Sequence, residues 1–166
     1  MATAEVLRFS PFGPGSSLRS YSANRATSPL RAIEREMLRS TLNSQYIRRV
    51  QMLELLLEET KELSRFAQNW DSYGATPPSS ESIGAAIEFL VSGSGADFLP
   101  VRTLPSAEGG VALRFLAGDK RALVEFLNTG TVEVMLYDEA GTLSPATEGL
   151  QDPFEIMNAV YAHLTR

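Results

Sequence analysis

The chain is expected to fold as an α+β domain: N-terminal helices, a three- to four-stranded antiparallel β-meander and a C-terminal helix. Three observations point there. Apolar residues recur at helical spacing from Leu30 to about Gln68. The pattern then changes to period two between Val101 and Tyr137. A capping box with a proline, Asp152-Pro153-Phe154-Glu155, opens a last helical stretch.

Residues 1–27 are rich in Ser, Gly, Pro and Arg, and Pro11, Gly13, Pro14 and Gly15 prevent a helix there. They are expected to form a flexible arm. Phe9, Phe12, Leu18 and Tyr21 make it more apolar than a linker requires, as in a segment that orders on binding. An Arg- and Ser-rich, acid-poor stretch is also the composition of a transit peptide, but no clear amphipathic helix accompanies it.

Ser28 and Pro29 have the chemistry of a helix cap and first helical position. Leu30, Ile33, Met37, Leu38 and Leu42 follow at helical spacing, and Asn43-Ser44 is a weak interruption. A second helical pattern covers about Gln45 to Gln68. It has two apolar stripes, Ile47/Val50/Leu53/Leu57 and Met52/Leu55/Leu56/Leu63/Phe66, which predict a broadly buried helix. Residues 28–68 are therefore a helical hairpin or one long helix. Arg31, Arg35 and Arg39 form one charged ridge, and Glu54, Glu58 and Glu62 another. A turn at 43–45 would set the two ridges side by side. A continuous helix would leave them open to a second copy or a partner.

Residues 69–166 are expected to form the α+β core. Asn69 to Pro78 is a loop holding the only Trp. Ser79-Ser80-Glu81 opens a helix to about Val91, with Ile83, Ala86, Ile87 and Leu90 on one face. Val101–Leu104 is a short strand closed by Pro105. Val111/Leu113/Phe115, Leu123/Glu125/Leu127 and Val132/Val134/Leu136 alternate with other residues. Turns at Glu108-Gly109-Gly110, Gly118-Asp119-Lys120 and Asn128-Thr129-Gly130 join them. In the last helix Ile156, Val160 and Leu164 face inward.

Charge is divided unevenly. Residues 1–49 carry eight Arg against Glu5, Glu34 and Glu36, a balance of +5. Residues 50–166 carry seven basic and seventeen acidic residues, a balance of −10. Such a split marks a segment that meets an oppositely charged surface on a partner, on a nucleic acid or within the chain itself. Cysteine is absent, which excludes disulfides, thiol nucleophiles and thiolate-bound metals. His163 is the only histidine, so neither a zinc site nor a histidine-based triad is expected. No cofactor, metal site or membrane span is expected either, and a cytoplasmic location fits.

The segment Asn69-Trp70-Asp71-Ser72-Tyr73-Gly74-Ala75 admits two readings. In one, Trp70 and Tyr73 anchor a partner. In the other, the loop ends a helix: Trp70 buries its ring against the sheet, Asn69 or Asp71 bonds local backbone, and Gly74 takes a left-handed conformation. The carboxylates Asp71, Glu108, Glu125 and Glu133 are the only acid/base or Mg²⁺ candidates. Glu125, in register with Leu123 and Leu127, is placed toward the apolar side with Arg114 as its partner.

The N-W-D-S-Y-G-A segment, a short helix, Leu-Pro, the P-x-x-x-G-G-V turn at 105–111 and the meander resemble a widespread group of small bacterial proteins of unknown function. That group shares the pattern N-W-D-x-Y-G-A-x-x-P. The resemblance covers about residues 66–137, departs at Glu108 where Asp is usual, and omits the first 65 residues. It implies a fold and a bacterial origin, and no activity.

These readings lead to a non-enzymatic interaction or regulatory protein, of the kind found in toxin–antitoxin or defence operons. Its partner, another protein or a second copy, is expected to meet Phe9, Phe12, Arg19, Tyr21, Arg25, Arg31, Arg35, Arg39, Trp70 and Tyr73. The alternatives are a nucleic-acid-associated protein using the Arg-rich arm, with the aromatic residues stacking on bases, and a small carboxylate-dependent enzyme.

Overall fold

The computed structural model describes residues 29–93, 98–144, 150 and 152–166. The arm at 1–27, with Phe9, Phe12, Arg19, Tyr21 and Arg25, lies outside them, as does the Ser28 cap. The chain divides into two compact units, residues 1–38 and 39–166.

One unbroken helix, α1, runs from Pro29 to Glu62, followed by a 3-10 turn at Leu63–Arg65. Of the two arrangements open to residues 28–68, this is the single long helix. Leu, Glu, Arg, Met and Gln dominate it, and no Gly or Pro interrupts its interior. The weak point at 43–44 is accommodated locally: Ser44 Oγ donates to Ser40 O at 2.9 Å. The described residues of the first unit are the opening turns of this helix.

In the second unit α2 (Ser80–Ser92) precedes the strands β1 (Arg102–Pro105), β2 (Gly110–Ala117), β3 (Lys120–Leu127) and β4 (Val132–Tyr137), and α3 (Pro153–Thr165) follows them. The sheet is an antiparallel meander in the order β1-β2-β3-β4. The α+β class, the meander and the C-terminal helix are as the sequence patterns predict. Ser79 caps α2 by accepting from the Ser82 amide at 3.1 Å. Asp152 caps α3, its Oδ1 accepting from the Phe154 and Glu155 amides.

One sheet face forms the core with α2 and α3. Register places Leu113 opposite Val124, and Val124 opposite Val134. These residues join Phe115, Phe126, Phe89, Leu90, Ile156 and Val160 in a buried cluster. The rings of Phe89 and Phe126 lie 5.4 Å apart. Gly110 is required where β2 begins: its φ is +139°, and a Cβ there would come within 2.2 Å of Phe126 O.

The core parity of β3 corrects one expectation. Ala122, Val124 and Phe126 are the buried set, so Leu123, Glu125 and Leu127 lie on the opposite face. Leu123 and Leu127 make the other face of β3 partly apolar, so the leucines within this one strand do not mark the core side. Pairing with β2 does.

The last third of α1 contributes Leu56 and Thr60 to the interior and the 3-10 turn contributes Leu63, with Leu53 and Leu57 packed at the edge of the core. Thr60 Oγ1 donates to Leu56 O at 2.7 Å and meets Thr103 Oγ1 at 3.3 Å. Glu59 Oε2 accepts from the Thr103 amide at 3.3 Å, which occupies part of the β1 edge.

Candidate functional site

The broadly buried helix expected over 45–68 is not what forms. Ile47, Val50, Met52, Leu55 and Phe66 are exposed, as are Leu42 (63%) and Tyr46 (67%). Leu55 points away from the core beside buried Leu56, and for Leu42 and Tyr46 length explains the exposure. A helix of 34 residues extends about 51 Å, whereas an eight-residue strand covers about 26 Å. Leu42, Tyr46 and Val50 recur every fourth residue and form one ridge on the α1 surface. Toward the chain start, Leu30, Ile33 and Leu38 are exposed as well. An apolar ridge in water is the feature that usually marks a surface another molecule covers.

The charged ridges lie along this helix. Arg35 Nε donates to Arg31 O at 3.2 Å. Glu58 pairs with Lys61 at 2.8 Å, and Glu62 pairs with Arg65. With α1 unbroken, the two ridges do not face each other in a hairpin. Arg39 and Glu54 are both exposed.

The loop after α1 separates the two predicted aromatic anchors. Trp70 turns inward, and its ring meets Phe66 edge-on with centroids 5.3 Å apart. Its indole Nε1 is buried and has no acceptor among the described residues. Tyr73 is 94% exposed. The loop is held by its own polar groups. Asn69 N donates to Ala75 O, Asn69 Oδ1 accepts from the Gly74 amide at 2.7 Å, and Asp71 Oδ1 accepts from the Tyr73 and Ala75 amides. The Ala75 amide, then that of Tyr73, holds the Asp71 carboxyl below its ordinary value. Asn69 and Ser72 adopt positive φ without being glycine, and Gly74 has φ +99°. These are the bonds of the helix-terminating reading, and they present Tyr73 to solvent from a tied loop.

A residue of the β3–β4 turn joins this region to the sheet. Asn128 Oδ1 accepts from the Ser79 amide at 2.8 Å and from Ser82 Oγ at 3.0 Å, while its Nδ2 donates to Pro77 O at 2.9 Å. In sequence Asn128 signals only a turn. Its partners lie about fifty residues away, and no local pattern reveals them.

The carboxylates divide into two places. Glu125 and Glu133 are register partners on the sheet face away from the core. Glu125 Oε2 accepts from Ser106 Oγ at 3.0 Å, so Ser106 takes the place expected for Arg114. Burial pushes the Glu125 carboxyl up, the Ser106 hydroxyl opposes this, and the charges of Glu133 and Glu108 add to it. Asp71 stands apart in its loop. Among the described residues no three His, Cys, Asp or Glu side chains are grouped as a metal ion would require. His163 Nε2 lies 2.9 Å from Tyr137 O. A carbonyl only accepts, so this nitrogen carries the proton. A cleft of about 440 Å³ lies beside Ser92, Gly93, Pro153, Phe154 and Met157. No described helix is long and apolar enough to cross a membrane.

No family model matches the chain, and neither does any curated protein or solved structure.

Proposed function

We propose that this is a non-enzymatic protein-binding module whose contact surface is the exposed face of α1. The observation that supports this is the Leu42, Tyr46 and Val50 ridge on a helix packed into the core only through its last third. Covering such side chains is worth roughly 25 cal/mol per Å², and exposed apolar surface on a regular element is the usual form of a helix-mediated contact. The tied loop bearing Tyr73 supplies a second aromatic contact in the same unit, and the Arg-rich segment upstream adds positive charge. Partner masking of the kind found in toxin–antitoxin pairs is the setting proposed for such a module.

The test is a photo-crosslinking residue placed at Tyr46 in the full chain in its native cell, with Gln51 as control. On a helix Gln51 points about 140° away from Tyr46. A discrete covalent adduct from position 46, absent from position 51, is expected. No adduct at 46, or equal adducts at both positions, overturns the reading.

A further inference from the structure

The sheet face turned away from the core has a positive end and a negative end. Register sets Arg114 opposite Leu123 and Arg121 opposite Tyr137. Arg114 and Arg121 are therefore diagonal neighbours on that face, about 7–8 Å apart where their side chains leave the strands. Both line one cleft of about 310 Å³, together with Leu104, Leu123 and Tyr137. That volume is at the small end of the roughly 300–1,000 Å³ usual for small-molecule sites.

The carboxylates of the face stand at its other end. Glu125 and Glu133 oppose each other there, and Glu125 is held by Ser106. In the turn after β4, Asp138 Oδ1 is occupied by the Thr142 amide at 2.7 Å. Among the described residues no carboxylate forms an ion pair with Arg114 or Arg121, although residues 50–166 carry a balance of −10. Arg102 lies opposite Arg114 in register, but it also borders a second cleft beside Glu58, Glu59 and Glu62, which offset its charge.

The two guanidinium groups are placed to receive an anion. Arg121 lies 4.9 Å from the centre of the Tyr137 ring, a stacking that leaves its N–H edge free to donate. The strand under that ring is tied to α3, where His163 Nε2 meets Tyr137 O at 2.9 Å. Arg114 rises from a central strand and is half-buried, so part of its hydration is already lost before a ligand arrives. Two like charges this close repel, and an oxyanion between them removes the repulsion. A phosphate monoester brings close to two negative charges at pH 7 and three acceptor oxygens, enough for both forks. A carboxylate brings one charge and two oxygens, enough for one. Leu104 and Leu123 offer apolar surface to the carbon body of an ester.

We propose that the Arg114/Arg121 cleft binds a small organic phosphate, its phosphate held by the two guanidinium groups and its apolar body resting on Leu104 and Leu123. The cleft shares no residue with the α1 ridge, so this site and the α1 contact surface stand or fall separately.

Isothermal titration calorimetry of the full chain with phenyl phosphate, inorganic phosphate and benzoate tests it, beside amide chemical-shift mapping of the wild type. Phenyl phosphate is expected to saturate one site, to bind tighter than the other two, and to shift amides around Leu104, Leu123 and Tyr137. R114Q and R121Q should each weaken binding by about tenfold or more. Lys120→Ala should leave it unchanged, because Lys120 adjoins Arg121 on the opposite face of β3. Arg121 is exposed, so R121Q keeps the test decisive if R114Q does not fold. No saturable binding of phenyl phosphate overturns the proposal, as does binding that R121Q leaves intact or amide shifts centred elsewhere. Benzoate binding as tightly as phenyl phosphate overturns the phosphate assignment, and inorganic phosphate binding as tightly overturns the role of the apolar surface.

Discussion

Several individual side chains carry a disproportionate share of the fold. Asn128 makes three side-chain hydrogen bonds, to Ser79, Ser82 and Pro77. Asn128→Ala leaves the Ser79 amide and the Pro77 carbonyl without those partners and is expected to cost about 2–4 kcal/mol in chemical denaturation. Gly110→Ala should cost more than about 2 kcal/mol, since its Cβ would strike the Phe126 carbonyl at a positive φ. Tyr73→Ala, by contrast, should leave stability within about 0.5 kcal/mol. The loop's bonds run through Asn69 and Asp71, not through the Tyr73 ring. Much of this was legible from residue types. The Asp152 cap, the Ser79 cap and the left-handed Gly74 follow from local chemistry. Asn128 does not, because its bonding depends on residues brought near only by the fold.

Glu125 gives stability a pH dependence of definite sign. Burial raises its carboxyl above the ordinary value of 4.5, so the folded chain holds this proton more tightly than the unfolded chain. The contribution is fully present below pH 4.5 and is lost as pH rises from there through the folded value. Asp71 has the opposite sign: its lowered carboxyl contributes above the ordinary 3.8 and loses that contribution as pH falls through the folded value. Denaturation midpoints measured from pH 4 to 7 should show less decline with pH in E125Q than in wild type. An identical decline would mean that Glu125 titrates as it does in the unfolded chain.

At the scale of elements, α1 behaves as two helices in one. Leu56 is 1% exposed and Leu42 63%. Leu56→Ala should therefore cost about 2–5 kcal/mol, and Leu42→Ala within about 0.5 kcal/mol for the isolated chain. The sequence pattern does not separate them. Leu42 and Leu56 belong to equally good helical stripes, and what divides them is how far the sheet and its two covering helices extend. The same limit explains β3, where leucines stand on the outer face and the pairing of Leu113 with Val124 decides which side is inside. The meander turns were easier, since Glu108-Gly109-Gly110 and Asn128-Thr129-Gly130 carry their turn chemistry locally.

For the whole molecule, charge is divided in two. Residues 50–166 hold a balance of −10 and residues 1–49 one of +5. Within α1 this split becomes a five-Arg, two-Glu stretch over 29–49 and a four-Glu, one-Lys stretch over 50–62. Attraction of either stretch to an oppositely charged surface is screened by salt, over about 10 Å at 0.1 M. On the proposed reading of α1 as the contact surface, raising salt should weaken binding modestly while the apolar ridge retains most of it.

The absence of cysteine makes the covering of the α1 ridge directly measurable. A single thiol introduced by Tyr46→Cys in the full chain can be titrated with a maleimide in native cell extract, beside a Thr129→Cys control on an exposed turn. A covered ridge predicts slow labelling at 46 relative to 129, with the difference lost in denaturant. Labelling at 46 as fast as at 129 in the native extract would contradict the assignment of α1 as the contact surface.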